Sequence, residues 1–567
     1  MSKLLRVLAT AASFLSLSFG PGVAVEPDAP EKLISEQETF SIAVRWRIDK
    51  LPPTTNFGDL RDRAAAAHFY SHHVGPPLWV ASDGMTRRAQ VIAAEIRGAD
   101  SWGLDSTEFN LPLSPNTTMD VERQTAAELS MTLAVIKYAR HASGGRMDPK
   151  RLSLAIDRTP PLADPSVVLT ELSTTDDPAA SLRDLHPKHE QFQLLRTAYL
   201  GALSAEAGGS ARANRRKTRS RKRRGRSSTK LSQRLLYNME MWRWMPRELG
   251  QKYVWANIPE YKVRVVNSDH VIHEERIIAG KVKNKTPMFS DEMETIVFQP
   301  YWWVPNSIKV KELLPGLMRG RNTLRRKNLK ISSAGREISP HSVDWSRTDI
   351  RNYRVFQPPG RYNALGVVKF LFPNEHAVYM HDTPSKYLFK RKRRAFSHGC
   401  VRVRDPLKLA EVVLGADKGL SRSQIDSFVN DGPENNQIRL DEKVPVHVTY
   451  FTARIDGEGQ PVLFRDVYRH EKLIQMGFDG KAHLIVLKEP DLSPPKRKVV
   501  RRSQSRSKRR QVVRNRDIKA KKRAAGGRGK PKSRRRKTVR RPAKSQYSSN
   551  NYSATSSSSA WVRAQFQ

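Results

Sequence analysis

Between residues 33 and 203 the apolar positions recur at helical spacing. Leu129, Leu133 and Ile136 stand at i, i+4 and i+7, and Phe192, Leu195, Tyr199 and Leu203 repeat the pattern. Each series marks one buried helix face. Turn signals at Gly75-Pro76-Pro77, Asp83-Gly84 and Gly144-Gly145 separate such segments, so this part reads as a helical module with Trp79 and Trp102 in its core. Leu231–Trp244 predicts one more helix, stopped by Pro246. After it the period changes to two: Tyr261, Val263 and Val265 alternate with Lys262 and Arg264. Further strands are predicted at Val271–Ile278, Thr295–Gln299, Val367–Phe372, Ala377–Met380 and Val446–Ala453. The expected fold class is α+β, helical first and mainly β afterwards. Between Pro305 and Asp349 a polar, Arg-rich stretch with a broken helical pattern interrupts the β region. It is long for a loop, and loops of that length are lids or disordered.

Composition divides the chain further. Its 567 residues suffice for roughly three domains. Net charge is +45, but Lys496–Lys544 holds 25 Lys/Arg against the single acid Asp517, and Arg212–Lys230 holds another 11 with no acid. Two segments therefore carry +35, and the remainder is only moderately basic. Gly208–Thr229 has almost nothing apolar and cannot offset its own ordering entropy, which predicts a solvated linker. The tail beyond Pro494 is basic, then Ser-rich, and is expected to be disordered. At the other end, Lys3 and Arg6 precede the apolar run Val7–Phe19 and the small residues Gly22-Val23-Ala24, the pattern of a secretory signal. No later segment has the ~20 apolar residues of a membrane span. The expected organisation is a signal peptide at 1–24, a helical scaffold domain at 33–203 and a basic disordered linker at 204–230. A mainly β domain at 231–490, with a lid at about 305–350, and a disordered tail at 491–567 complete it. The leader predicts an exported chain, released or held by that segment.

One cysteine excludes a disulfide framework and any Cys-rich metal site. Cys400 is either an inert core thiol or a nucleophile. It lies in Ser397-His398-Gly399-Cys400-Val401-Arg402, flanked by polar residues rather than a core sequence, on an expected turn ahead of a helix with Asp405 as N-cap and Pro406 at N1. A thiol needs a base or a nearby cation to ionise at neutral pH. His398 is two residues away, and His381 ends the predicted strand Ala377–Met380. Gly399 permits close backbone approach, so the Gly399 and Cys400 amides are candidates for an oxyanion hole. No phosphate loop or metal-ligand spacing occurs, His72-His73 included, so neither metal nor cofactor is expected.

At these residues the chain resembles the L,D-transpeptidase family (YkuD-type catalytic domain), whose signature runs His, a gap of fourteen to seventeen, then Ser/Thr-His-Gly-Cys; here the gap from His381 is fifteen. Stretches similar to its large periplasmic subgroup include Asn238–Pro246, Gln299–Pro305, Gln357–Gly366, His381–Ser385, Pro77-Leu78-Trp79 and Gly103-Leu104-Asp105. Members usually carry a small peptidoglycan-binding domain where this chain has its basic linker. The resemblance implies Cys400 as nucleophile on the third stem residue of a tetrapeptide donor, with release of D-Ala. It implies His381 as its base and an amine acceptor that gives a 3→3 cross-link; water in its place makes an L,D-carboxypeptidase. Ser397, His398 and Gly399 form the active-site turn, with His398 structural or substrate-lining. Arg402, beside the nucleophile, is expected to contact a substrate rich in carboxylates, and the run Lys390–Arg394 either steers that substrate or is a solvated basic face. The expected partners are peptidoglycan stem peptides, and anionic envelope surfaces for the basic segments. Two other readings are a non-catalytic wall-binding scaffold and a nucleic-acid binder. The leader and the lack of an aromatic stacking module argue against the latter.

Overall fold

The computed structural model describes residues 36–112, 119–213 and 230–488. The expected signal segment, residues 214–229 of the linker and the tail from 491 lie outside the described residues. The described residues divide into two compact units, those within 1–142 and 162–185, and those within 143–161 and 186–488. Residues 143–161 and the described residues from His186 thus group with the second unit, whereas the helical module was expected to reach 203.

The first unit contains α1 (Glu36–Asp49), α2 (Phe57–His72), α3 (Arg87–Arg97), most of α4 (Val121–Gly144), α5 (Pro165–Thr174) and α6 (Pro178–Asp184). Side-chain caps start several of them: Asn56, Thr86, Asp164 and Asp177 each accept from N–H groups of the first turn. Trp79 and Trp102 are buried, as their sequence setting suggested. At the centre lies the Glu128 carboxylate, accepting from the Leu78 N–H (2.8 Å), the Trp79 N–H (2.9 Å) and the Tyr70 hydroxyl (2.7 Å). The Trp79 indole donates to Thr132 Oγ1.

In the second unit, α7 (Glu190–Ala213) runs past residue 204, where the linker was expected to begin. Its Ala-rich sequence favours helix, and Glu206 accepts from the Ser232 hydroxyl (2.9 Å) at the start of α8 (Leu231–Arg243). Phe192, Leu195 and Tyr199 are buried as predicted, whereas Leu203 is 39 % exposed.

The strands are β1 (Lys252–Asn257), β2 (Lys262–Asn267), β3 (His270–Gly280), β4 (Phe289–Phe298), β5 (Trp302–Trp303), β6 (Lys330–Ser333), β7 (Arg336–Glu337), β8 (Arg354–Gln357), β9 (Val368–Leu371), β10 (Met380–His381), β11 (Ala395–Ser397), β12 (Val401–Val403), β13 (Asn436–Thr449), β14 (Ala453–Ile455) and β15 (Pro461–Leu463). One sheet runs β11-β3-β12-β10-β9-β4-β13-β1-β2, and β2 also pairs with β3, which closes it into a barrel. The predicted strand Ala377–Met380 is shorter than expected. Asn374 Oδ1 accepts from the His376 and Val378 N–H groups and holds Ala377 at φ +50°, so only Met380–His381 pair. Cys400 accordingly lies on a turn between two short strands, β11 and β12; the helix capped by Asp405, α9 (Pro406–Lys418), starts one strand later.

The stretch expected as a lid is an ordered insertion. Strands β5, β8, β6 and β7 form its own sheet in that order, and Val310, Leu313, Leu314, Leu317, Leu324, Ile331, Trp345, Ile350 and Val355 form a separate core. Its first helix contains a π-helical turn, Lys309–Leu313. Asn363 ties its two roots together, donating to Pro300 O (2.8 Å) and Pro358 O (2.9 Å). Among the described residues no helix is long and apolar enough to cross a membrane.

Candidate active site

Strand alternation assembles the site. β10 and β12 pair in parallel with Met380 opposite Val401 and His381 opposite Arg402. Val401 N–H continues the ladder to Tyr379 O (3.1 Å). Residues two apart share a face, so Tyr379 and His381 from one strand, and Cys400 and Arg402 from the other, project to the same side. The Tyr379 and His381 rings meet edge-on with centroids 5.7 Å apart.

The turn that carries the thiol is fixed by its own residues. Gly399 has φ +133°, a conformation L side chains rarely adopt. Ser397, 1 % exposed, donates from Oγ to Cys400 O (2.5 Å) and accepts from the Gly399 N–H (3.2 Å). Thr286 donates to Gly399 O (2.6 Å) and accepts from the Gly280 N–H (2.9 Å). A side chain at Gly280 would meet Asn284 O at 2.1 Å, so the 281–286 loop packs directly beneath the turn. Of the two amides expected to form an oxyanion hole, the Gly399 N–H is thus committed to Ser397, and the Cys400 N–H faces its own sulfur.

Burial pushes the Cys400 thiol up, against the opposing pull of the Tyr379 main-chain N–H, the Arg402 charge and the Tyr379 hydroxyl. Burial also holds the His381 imidazole down at about 3, reinforced by Arg402 and opposed by the Asp382 carbonyl. Thiol and imidazole therefore rest as a neutral pair at neutral pH. His381 Nδ1 and Arg402 Nε are buried without a hydrogen-bond partner. Lys369, opposite His381 on β9, is lowered to about 8 by burial. Behind the row, Asp382 accepts from the Val367 N–H (3.1 Å) and pairs with Lys386 (2.5 Å). A side chain at Gly366 would meet Asp382 Oδ2 at 2.1 Å.

His398 points away from this face. Its Nε2 lies 2.5 Å from Glu312 Oε1 on the π-helical turn of the insertion and 3.4 Å from Lys281 Nζ. Arg394, from the basic run, is fastened by donation to Ile277 O (3.0 Å) and Tyr261 O (2.9 Å), while Lys390–Arg393 are exposed. Sequence reasoning missed Tyr379, whose hydroxyl faces the sulfur and takes a hydrogen bond from the Trp302 indole. Its position two residues before His381 was the available signal. It also missed Thr286 and Glu312, for which the sequence carries no local sign, and the role of Trp302, which lies in the family-like stretch Gln299–Pro305.

A thiol, an imidazole, a guanidinium and a phenol on one face of the paired strands have the composition of a nucleophilic acyl-transfer site. Residues 251–448 match the L,D-transpeptidase catalytic domain, and residues 64–198 match a scaffold domain. The chain therefore carries an L,D-transpeptidase catalytic domain together with a scaffold domain; no peptidoglycan-binding domain is matched. A Haemophilus influenzae protein provisionally named an L,D-transpeptidase is 33 % identical over 225 residues, which are 39 % of this chain and 45 % of that one. The chain thus spans less than half the length of that relative. A solved L,D-transpeptidase from Mycobacterium smegmatis shows a likeness over 35 % of this chain and 58 % of that one, at 12 % identity and a TM-score of 0.17, too distant to bear on the site.

Proposed function

We propose that this protein is a cell-envelope L,D-transpeptidase that forms a thioester on Cys400 from a tetrapeptide stem and passes the acyl group to an amine. The observation that carries the reading is the shared face of Cys400, His381, Tyr379 and Arg402 inside a matched L,D-transpeptidase domain. In acylation the thiol proton moves to neutral His381 as sulfur attacks the carbonyl of the third stem residue. The imidazolium then gives that proton to the departing D-Ala amine. In the second half the acceptor amine loses a proton to His381 as it displaces the thiolate, which is reprotonated. The Cys400 N–H and the Tyr379 hydroxyl, both aimed at the sulfur, are the donors within reach of the oxyanion that grows beside it. Arg402 holds a substrate carboxylate. With diaminopimelate as acceptor the product is a 3→3 cross-link.

The expected site is the periplasm, and the basic linker and tail would hold the protein to anionic wall or envelope surfaces through salt-screened contacts. Mass spectrometry of purified tetrapeptide muropeptides after incubation with the full chain tests the reaction. A dimer lighter by one alanine plus free D-Ala is expected. Tripeptide alone would make the enzyme a carboxypeptidase, and unchanged substrate would refute the proposal.

A further inference from the structure

The outer face of the insertion's sheet is aromatic where an open sheet face is normally polar. On β5, Trp302 turns inward to the insertion's core and the Tyr379 hydroxyl, so Trp303 turns outward, where it is 39 % exposed. Tyr301, two residues earlier, shares that face. The two rings lie nearly parallel, at 19°, with centroids 6.0 Å apart. Phe356, the cross-strand partner of Trp303 on β8, adds a third ring at 5.2 Å. The Arg354 guanidinium stands over Trp303 at 6.0 Å, and the Tyr301 hydroxyl donates to Glu434 Oε2 (2.5 Å). The result is a half-exposed aromatic floor with a guanidinium and a carboxylate at its rim. It lies on the edge strand of its sheet, one residue from the side chain that touches Tyr379.

We propose that this floor binds the sugar rings of the glycan strand that bears the donor stem, an inference that rests on the transpeptidase reading above. The C–H face of a pyranose is apolar and weakly positive and suits the negative face of an aromatic ring. The rim guanidinium and carboxylate suit hydroxyl, amide and carboxylate groups around the sugar. Three stem residues span at most about 11 Å, so sugars must lie close outside the cleft while a stem carbonyl is at the thiol. β5 is the edge where the two faces of the insertion meet, which lets a stem cross from Trp303 to Trp302. The floor gives the chain a glycan contact of its own without a separate binding domain.

The test uses the full chain in 0.5 M salt, which suppresses the basic segments, with glycan strands stripped of peptide by an amidase as the probe. Wild type is expected to bind them and to prefer intact sacculi over sugar-free tetrapeptide as donor. Trp303→Ala is expected to weaken glycan binding at least ten-fold and to lower that preference by a similar factor. Trp303→Tyr, which keeps a stacking ring, should restore both to within about three-fold. Phe356→Leu, which removes a ring but keeps an apolar side chain, gives the same reading should Trp303→Ala fail to fold. No binding by wild type, or binding and preference unchanged in the variants, would overturn the proposal. Glycan binding is read without turnover, so a wild type that binds strands but releases no D-Ala counts against the transpeptidase reading alone.

Discussion

Two buried polar centres of this molecule are built on opposite rules. In the helical unit the Glu128 carboxylate is fully enclosed, yet three donors converge on it. In the barrel, His381 is nearly as enclosed, but the Asp382 carbonyl alone favours its charged form, and a cation, Arg402, with an unpartnered Nε, opposes it. Structural burial satisfies polar groups; the barrel site leaves them short of partners, and burial holds the imidazole down at about 3. Perturbed, unmatched groups in a cleft are where substrate groups are expected to complete the hydrogen bonding.

The largest expected difference between the two centres is in rate. His381→Ala should lower acylation by a factor on the order of 10²–10⁴ in single-turnover assays, whereas His398→Ala, whose ring is turned toward Glu312, should cost less than about ten-fold. The reverse ranking would exchange their roles. Glu128→Leu is the structural counterpart. It leaves the Leu78 and Trp79 N–H groups unpaired and should cost the helical unit about 3 kcal/mol in denaturant unfolding; a loss under about 1 kcal/mol would show that the carboxylate is not satisfied as described.

Acid should expose the buried histidines. His381 and His470 sit near 3 and His447 near 4, all lowered chiefly by burial. Above the unfolded value of about 6.5 both states are neutral and the effect is absent. Below it the unfolded chain binds protons that the folded one refuses, so each ring should cost about 2 kcal/mol by pH 5. Thermal melts between pH 7.5 and 5 should fall accordingly, and a flat profile would contradict the assigned burial. The smallest effect expected is for Arg402→Met, which removes a half-buried cation without leaving a carboxylate unpaired. It should leave the melting temperature unchanged or higher and raise KM for tetrapeptide about ten-fold. A lowered melting temperature with KM unchanged would make Arg402 structural.

The thiol and its imidazole were legible in the sequence because they belong to a local motif: a lone cysteine among polar neighbours, and a histidine at a fixed gap. The helices with strong period or caps were legible for the same reason. What surrounds the thiol was not, because sheet register places it there. Thr286 reaches Gly399 across 113 residues and Glu312 reaches His398 across 86, and no local pattern encodes such distances. β1, Lys252–Asn257, was missed because Tyr253 and Val254, and then Ala256 and Asn257, are buried as adjacent pairs, which erases the alternation that marks a half-exposed strand. The insertion reads as polar and broken because its small core draws on scattered positions between Val304 and Val355.

On the proposed mechanism Cys400 carries the acyl group. Intact-protein mass spectrometry after brief mixing with a tetrapeptide donor, in the absence of acceptor, tests it directly. Wild type should gain the mass of the stem less alanine, with the adduct mapping to Cys400 and reversed by hydroxylamine. Cys400→Ala should gain nothing while retaining its fold, since a partly exposed turn cysteine contributes little to stability. An adduct on another residue, or D-Ala release by Cys400→Ala, would contradict the account.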